Sequence, residues 1–292
     1  MFSKLMLGTV QFGLEYGIAN VSGKPSFDRV CEIIRTAYEN GVTALDTAAA
    51  YGTSEEVVGR ALECLGLREA MEVVSKVPPL EAADDAEAER LIEQTLLRSL
   101  KRLRLERLAV CLLHREDDLR FLPVLEKMVG KGLIGGAGVS LDSGRFLREA
   151  ATVRFIQLPY NVLDRRFDAF FPVAEQNKNH LFSRSVYLQG LLLMPEEQIR
   201  PGLADVIPVR RRLEGIARKA GCTMAGLCVR YVLSNPAVTS VLTGVDTAEQ
   251  MCENLRLAAL GPLPADVLGR VRECVPDLPE SLVRPALWNT RN

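Results

Sequence analysis

The sequence lacks an excess of charge of either sign and lacks any long apolar run. Lys and Arg total 36 and Asp and Glu total 37 in 292 residues, a formal net charge of −1. Proteins that bind nucleic acid carry a basic excess or stripe, so no nucleic-acid partner is expected. No apolar stretch approaches the ~18 residues that cross a bilayer, and glycines interrupt the apolar opening too early for a secretory signal. These absences predict a soluble protein without a membrane partner.

Cysteine is present but without any recognisable pattern. The seven cysteines are scattered and include no C-x-x-C pair. An odd, dispersed set argues against a disulfide framework and against a zinc site built from cysteines. Buried thiols in a reducing compartment explain them best, which favours a cytoplasmic location. We predict no metal site.

The sequence does contain a regular alternation of short β-rich runs and helical stretches. Continuous apolar runs such as VTALDTA (42–48) and RLAVCLLH (107–114) are typical of parallel strands buried on both faces. The runs recur roughly every 25–35 residues with helical segments between them, as βα units do. We count eight units over residues 1–292, without a linker or a shift of composition. The pattern predicts an α/β fold, a single (β/α)8 TIM barrel domain with a C-terminal extension.

A doubly wound open sheet is the alternative fold for this rhythm. Such sheets usually have about five or six strands and a glycine-rich first turn. The only candidate for that turn, Gly8 to Gly13, lacks the G-x-G-x-x-G spacing. We therefore expect a barrel, with its chemistry at the carboxyl ends of the strands.

Polar side chains stand at three consecutive predicted strand ends. Strand 2 ends with Asp46 and is followed by Tyr51, strand 3 carries Lys76, and strand 4 ends with His114. Because unpaired buried charges are costly, Asp46 and Lys76 are expected to pair. A cation beside a phenol favours the phenolate, which suits Tyr51 as proton donor to a carbonyl oxygen, with His114 bonded to the same oxygen. Each residue alone also fits a structural role, such as a strand-end cap, a lysine reaching solvent or a core histidine.

These residues resemble the catalytic tetrad of the aldo-keto reductases. The motif D-x-x-x-x-Y-G begins at Asp46, Lys76 closes strand 3, and L-L-H ends at His114. The opening LGTVQFG-x-x-YGIAN resembles a bacterial branch of the family, and the similarity runs in order along nearly the whole chain. The further matching positions are Lys131-Gly132, Gly138-Val139-Ser140, Gln157, Tyr160-Asn161, Gly190-Leu191-Leu192, Gly244, Gln250, Glu253 and Asn254.

The resemblance implies an oxidoreductase that uses NADP(H), with NAD(H) as a possible cofactor, to reduce an aldehyde or ketone to an alcohol. By similarity Tyr51 is the general acid, Lys76 and Asp46 adjust its acidity, and His114 orients the carbonyl. The small-molecule substrate would be a carbonyl compound or an alcohol. The polar and aromatic residues of the predicted substrate loops suit a sugar-like or small hydroxy-carbonyl compound, and an aromatic aldehyde fits nearly as well. The cofactor would be held by Ser140, Gln157, Arg184, Gly190, Gly244, Gln250, Glu253 and Asn254.

Two departures from the family pattern concern the nicotinamide end. Leu141 follows the strand 5 serine where the family often has Asn. Arg184 stands where many members stack a Tyr on the nicotinamide, and a guanidinium also stacks flat on a ring. Its positive charge is expected to disfavour the oxidised, cationic nicotinamide relative to the reduced form.

A third departure concerns the adenosine end. Positions that in many members carry Lys or Arg for the 2′-phosphate read Gly244, Val245 and Gln250, with Asp246 nearby. Without those cations we expect only a modest advantage of NADPH over NADH. The substrate walls are expected from loops 14–25, 114–118 and 188–204 and the tail 275–292, which contain Tyr16, Tyr187 and Trp288.

Two other functions remain open from the sequence. A regulatory or binding subunit of the same fold would use the bound cofactor as a redox sensor, although the complete tetrad disfavours it. An unrelated barrel enzyme, an isomerase or aldolase, would use Lys76 to form a Schiff base. The sequence leaves the oligomeric state open.

Overall fold

Eight parallel strands of the computed structural model, which describes residues 2–20 and 23–288, form one closed barrel. The strands are β1 Leu5–Gly8, β2 Ala44–Asp46, β3 Glu72–Val77, β4 Val110–Leu113, β5 Ala137–Ser140, β6 Phe155–Pro159, β7 His180–Arg184 and β8 Val238–Gly244. Each strand pairs with the next, and the register of β1 on β8 places Gly8 opposite Gly244. The (β/α)8 TIM barrel predicted from the βα rhythm is confirmed, and the open sheet is excluded.

Helices connect the strands and cover the outside of the barrel. Side-chain oxygens of Ser26, Asp84, Thr223 and Thr247 cap the amino ends of four of them. The helices are α1 Val10–Gly13, α2 Phe27–Glu39, α3 Ser54–Leu65, α4 Asp85–Leu103, α5 Leu122–Gly130, α6 Leu147–Ala150, α7 Phe171–Gln176, α8 Ile207–Lys219, α9 Met224–Leu233, α10 Ala248–Ala259, α11 Ala265–Cys274 and α12 Glu280–Val283. The 3₁₀ turns are Glu116–Phe121, Asp168–Phe170, Leu188–Gly190, Glu196–Gln198, Pro201–Val206 and Pro285–Leu287.

Most β-rich runs of the sequence are longer than the observed strands, and the excess at the carboxyl end is greatest for the runs 4–12 and 180–188, where the site begins. The run at 4–12 ends as a strand at Gly8, and Val10–Gly13 forms the helical turn α1 instead. The run at 180–188 ends as a strand at Arg184, because Ser185 takes a left-handed backbone with φ of 64°. The apolar residues beyond both ends face the barrel mouth or the helix layer rather than a neighbouring strand.

Apolar side chains fill the lower part of the barrel. A cluster that includes Met6, Val74, Leu112 and Phe182 lies inside the strands, and Phe2 packs edge-on against Phe182 with 5.0 Å between ring centroids. The barrel interior is therefore a packed core and not a pore, as in other barrels of this type. This packing leaves polar chemistry to the opposite, carboxyl ends of the strands.

The predicted C-terminal extension is present as α11, α12 and the segment that follows. Trp288 is 8 % exposed and belongs to the main hydrophobic core. Trp288 therefore anchors the tail to the barrel and is not one of the residues that line the cavity described below, although the sequence analysis places it in a substrate wall. Within residues 2–20 and 23–288, no helix is both long enough and apolar enough to cross a membrane.

Candidate active site

Parallel strands bring the predicted catalytic groups to one end of the barrel. Asp46 is the last residue of β2, Lys76 is the penultimate residue of β3, and His114 directly follows β4. Tyr51 lies in the loop between β2 and α3. Because neighbouring parallel strands end at the same edge, the four side chains converge, as the sequence predicts.

Lys76 and Asp46 form a buried ion pair with several hydrogen bonds. The ammonium Nζ of Lys76 donates to both carboxylate oxygens of Asp46, at 2.9 and 2.7 Å, and to the carbonyl oxygen of Thr47 at 2.8 Å. Gln157 Nε2 donates to Asp46 Oδ1 at 2.7 Å. Lys76 is 1 % and Asp46 4 % exposed. Burial alone would lower the pKa of Lys76, but Asp46 and Tyr51 together outweigh burial and raise that pKa above its usual value, so the amine stays charged.

The phenol ring of Tyr51 lies between the lysine and the histidine. Lys76 Nζ is 4.9 Å from the centre of the Tyr51 ring. The Tyr51 and His114 rings meet edge to face, with 5.6 Å between centroids and 81° between planes. The three groups are therefore close enough to act on one substrate atom.

A glycine in α1 fixes the loop that carries Tyr51. A Cβ atom at Gly13 would lie 1.8 Å from the carbonyl oxygen of Tyr51 and 2.5 Å from the backbone nitrogen of Ser54. Only glycine allows this approach of backbone to backbone. Sequence reasoning noticed Gly13 in a failed dinucleotide fingerprint and in the family-like opening, but it did not predict this contact, which joins chain segments about forty residues apart once the barrel closes.

His114 is uncharged at neutral pH. Burial, with the nearby positive charges of Lys76 and Arg184, lowers the pKa of His114 to about 3. A neutral imidazole keeps one N–H donor and one acceptor nitrogen. This residue can therefore bond a substrate oxygen without competing with Lys76 as a cation.

A cavity of about 510 Å³ opens beside these groups. Lys76, His114 and Ser140 are not among the residues that line it. Ser140 is 5 % exposed and is paired in register with Gln157, which does line the cavity. The other predicted site residues line the cavity, namely Asp46, Tyr51, Gln157, Arg184, Gly190, Gly244, Gln250, Glu253 and Asn254. One cavity thus joins the predicted catalytic residues to those predicted to hold a cofactor.

Arg184, the last residue of β7, is held by residues that follow β5, two strands away in the barrel. Its Nη2 donates to the carbonyl oxygen of Leu141 at 3.0 Å and to Asp142 Oδ1 at 2.9 Å. Arg284, from the C-terminal tail, donates to the other oxygen of Asp142. Burial by itself would raise the pKa of Asp142, but the two arginines lower it below its usual value. The positive charge of Arg184 is therefore balanced by a carboxylate, which the sequence did not predict.

Three buried oxygen atoms on the opposite wall have no hydrogen-bond partner among the described residues: Gln11 Oε1, Thr243 Oγ1 and Asp246 Oδ1. All three residues line the cavity. Gln11 packs so closely on Gly244 that a Cβ there would lie 2.4 Å from Gln11 Nε2. Buried polar atoms normally have partners, so these are candidate contacts of a bound molecule. The sequence drew attention to Asp246 but not to Gln11 or Thr243.

The predicted substrate loops, parts of which lie outside the described residues, contribute unequally. Tyr16 lines the cavity, and Gln189 Nε2 donates to its hydroxyl at 3.2 Å. Tyr187 also lines it, but its hydroxyl donates to Asn254 Oδ1 at 2.5 Å. The backbone at Leu188, Gln189 and Gly190 is left-handed, a conformation that non-glycine residues keep mainly at functional sites.

These features define a TIM barrel with a cluster of ionisable side chains at the carboxyl ends of its strands, next to a cavity. A model of the Aldo/keto reductase family matches residues 4–276, and the chain belongs to this family. As a member, it is an oxidoreductase. The resemblance seen in the sequence is thereby confirmed.

Individual relatives agree with this assignment. The Bacillus subtilis (strain 168) protein named uncharacterized oxidoreductase YqkF is 25% identical over 283 residues, 87% of this chain and 90% of YqkF. The holo form of the aldo-keto reductase AKR11C1 from Bacillus halodurans superimposes with a TM-score of 0.78 at 20% identity, over 95% of this chain and 93% of that one. The glycerol dehydrogenase AKR11B4 from Gluconobacter oxydans superimposes with a TM-score of 0.74 at 24% identity, over 94% of this chain and 91% of that one. At these identities the two structures show a common fold.

Proposed function

We propose that this protein reduces an aldehyde or ketone to an alcohol with a reduced nicotinamide dinucleotide, and that Tyr51 donates the proton. The observation that carries the proposal is the buried Lys76–Asp46 pair, whose ammonium lies 4.9 Å from the centre of the Tyr51 ring. The reverse reaction, oxidation of the alcohol, uses the same groups.

The chain's own residues supply the proton and its control. The Tyr51 hydroxyl gives its proton to the carbonyl oxygen as that oxygen gains negative charge. The Lys76 ammonium stabilises the phenolate that remains, and Asp46 with Gln157 holds the ammonium in place. An N–H of neutral His114 bonds the same oxygen and orients it. The bound dinucleotide supplies the hydride.

The cavity fits such a dinucleotide. Its wall carries the three unpartnered oxygens of Gln11, Thr243 and Asp246, as expected where a polar molecule completes the hydrogen bonding. By similarity to the family, Ser140 and Gln157 would hold the nicotinamide end. Arg184 and Gly190 would lie along the middle, and the residues from Gly244 to Asn254, which include Gln250 and Glu253, would hold the adenosine end.

The raised pKa of Lys76 argues against a Schiff-base enzyme. A lysine that attacks a carbonyl must be neutral, and such lysines have lowered pKa values. Here Asp46 and Tyr51 together keep the ammonium charged despite burial. Borohydride treatment with a carbonyl substrate should therefore leave no adduct on Lys76.

We propose a small, sugar-like carbonyl compound as substrate. Tyr16, joined to Gln189, offers an aromatic face together with polar groups at the cavity wall. The test is a screen of aldehydes, ketoses and aldoses for oxidation of NADPH and NADH, with Tyr51→Phe as the inactive control. Turnover that Tyr51→Phe abolishes supports the proposal. Binding of dinucleotide without turnover of any carbonyl or alcohol would instead favour a regulatory subunit.

A further inference from the structure

Asp246 places a carboxylate in the wall of the cavity without a partner. It lies between β8 and α10, two residues after Gly244. Its Oδ1 is buried and has no hydrogen-bond partner within residues 2–20 and 23–288. Its backbone N–H donates to Gln250 Oε1 at 2.7 Å, which fixes the turn that carries the carboxylate.

The charges around Asp246 leave it largely uncompensated. Burial raises the pKa of Asp246, and only the guanidinium of Arg29 on α2 acts to lower it. Arg29 is exposed and is not one of the residues that line the cavity. Among the described lining residues Arg184 is the sole cation, and Asp142 already pairs with it.

We propose that Asp246 accepts a hydrogen bond from the 2′-hydroxyl of the adenosine ribose and makes this site selective for NAD(H) over NADP(H). The proposal rests on the function proposed above. A carboxylate accepts hydrogen bonds and cannot donate them, so it suits a hydroxyl group. A 2′-phosphate monoester carries about −1.5 to −2 charge and only acceptor oxygens, so Asp246 repels it.

This inference reverses the expectation of a modest NADPH preference. The sequence showed that cations are missing from the positions that hold the 2′-phosphate in many family members. The structure adds that Oδ1 of the nearby carboxylate is buried in the cavity wall and has no hydrogen-bond partner among the described residues. Missing cations would reduce discrimination between the two cofactors, whereas an unpartnered carboxylate inverts it.

The test compares dissociation constants of NADH and NADPH for the full chain, measured by quenching of protein fluorescence at pH 7.5 and low salt. The wild-type protein should bind NADH at least about tenfold more tightly. Asp246→Asn and Asp246→Ser should each reduce this preference by about tenfold or more, mainly by tightening NADPH. Two variants are used so that a folding defect in one does not remove the test.

Glu249→Gln is the matched control. It removes the same charge from the same turn, but Glu249 is exposed, is hydrogen-bonded to the Thr247 side chain and does not line the cavity. It should change the preference by less than about threefold, as a solvent-screened charge does.

Each other outcome overturns the inference. Tighter binding of NADPH by the wild type refutes it, and loss of that binding in Arg29→Gln would identify the phosphate-binding cation. An unchanged preference in both Asp246 variants refutes the role of Asp246 while the proposed function stands. If neither dinucleotide binds, the proposed function fails and the inference fails with it.

Discussion

Two walls of the same cavity differ in how they satisfy their polar groups. On the proposed catalytic side, formed by Asp46, Tyr51, Lys76 and His114, the buried charges are already paired with each other and with Gln157. On the β8 wall, formed by Gln11, Thr243 and Asp246, each residue keeps a buried oxygen without a partner in the described part of the chain.

The difference distinguishes side chains that we propose for catalysis from side chains that we propose for ligand binding. Groups that stabilise a developing charge work best when they need no rearrangement during the reaction, so the catalytic side is complete before any ligand arrives. Groups that recognise a ligand gain from being completed by it, since a ligand that leaves a buried polar atom unpaired is penalised. We expect substitutions on the proposed catalytic side to change turnover and stability. We expect substitutions of residues proposed to contact the dinucleotide to change the ratio of its dissociation constants in different forms.

The largest effect is expected from Tyr51→Phe. Removing the hydroxyl deletes the proton donor, so kcat should fall by about 10²–10⁴ while dinucleotide affinity stays nearly unchanged. Steady-state kinetics and fluorescence titration measure the two quantities. Tyr16→Phe is the control, because Tyr16 is another phenol of the cavity wall and should lose less than about tenfold. Near-normal turnover of Tyr51→Phe would show that another group supplies the proton.

Lys76→Met is expected to affect both activity and stability. It leaves the Asp46 carboxylate, 4 % exposed, with Gln157 as its remaining side-chain donor. Breaking a buried pair in this way costs about 3–5 kcal/mol of unfolding free energy, which denaturant titration measures. The value of kcat should also fall, because no ammonium remains to stabilise the phenolate that proton transfer leaves.

The double variant Asp46→Leu/Lys76→Met separates these two roles. Replacing both charges by apolar side chains should recover most of the lost stability, since no buried charge remains unpaired. Activity should not recover. A double variant as unstable as Lys76→Met would mean that the pair itself stabilises the barrel.

The sequence predicted the catalytic side because charged residues are conspicuous in apolar strands. Lys76 between valines and Asp46 after Ala-Leu required a buried partner, and consecutive parallel strands made each the other's neighbour. The pairing of Arg184 with Asp142 was not predictable in the same way. It joins β7 to the segment after β5, and the tail residue Arg284 joins it from a distance of 142 residues along the chain.

The β8 wall was largely invisible to sequence reasoning. A Gln after a short strand and a Thr within a strand are ordinary residues, and only burial without a partner marks Gln11 and Thr243. Their proximity depends on closure of the barrel, where β1 pairs with β8. The βα rhythm predicted the number of strands, but strand ends were misplaced where the chain turns into the site, as after Gly8 and Arg184.

A smaller effect is expected from the pH dependence of stability. The pKa of His114 is about 3 in the folded protein and near 6.5 when unfolded. Between these values the unfolded chain binds a proton that the folded protein does not, so stability is full above pH 6.5 and falls as the pH falls. Between pH 6.5 and pH 5 the unfolding free energy should fall by about 1.5 kcal/mol because of His114.

His114→Gln should remove that part of the pH dependence, as measured by denaturant titration at both pH values. His180→Gln is the control, because His180 lies at the amino end of β7, and burial and Arg154 lower its pKa without Lys76 or Arg184. The His180→Gln protein should retain more of the dependence of unfolding free energy on pH than the His114→Gln protein does. A His114→Gln protein with the slope of the wild type would mean that the folded state protonates His114 normally.

The smallest effect is expected from Arg184→Tyr. Oxidised nicotinamide is cationic and the reduced form is neutral, so removing a nearby guanidinium should tighten the oxidised cofactor relative to the reduced one. Because Asp142 already balances Arg184 at 2.9 Å, the change in the ratio of dissociation constants should be only a few-fold, below about tenfold. Asp142→Asn should shift the ratio in the opposite direction, since it leaves the guanidinium uncompensated. If neither variant moves the ratio in a fluorescence titration of both forms, Arg184 does not act on the nicotinamide.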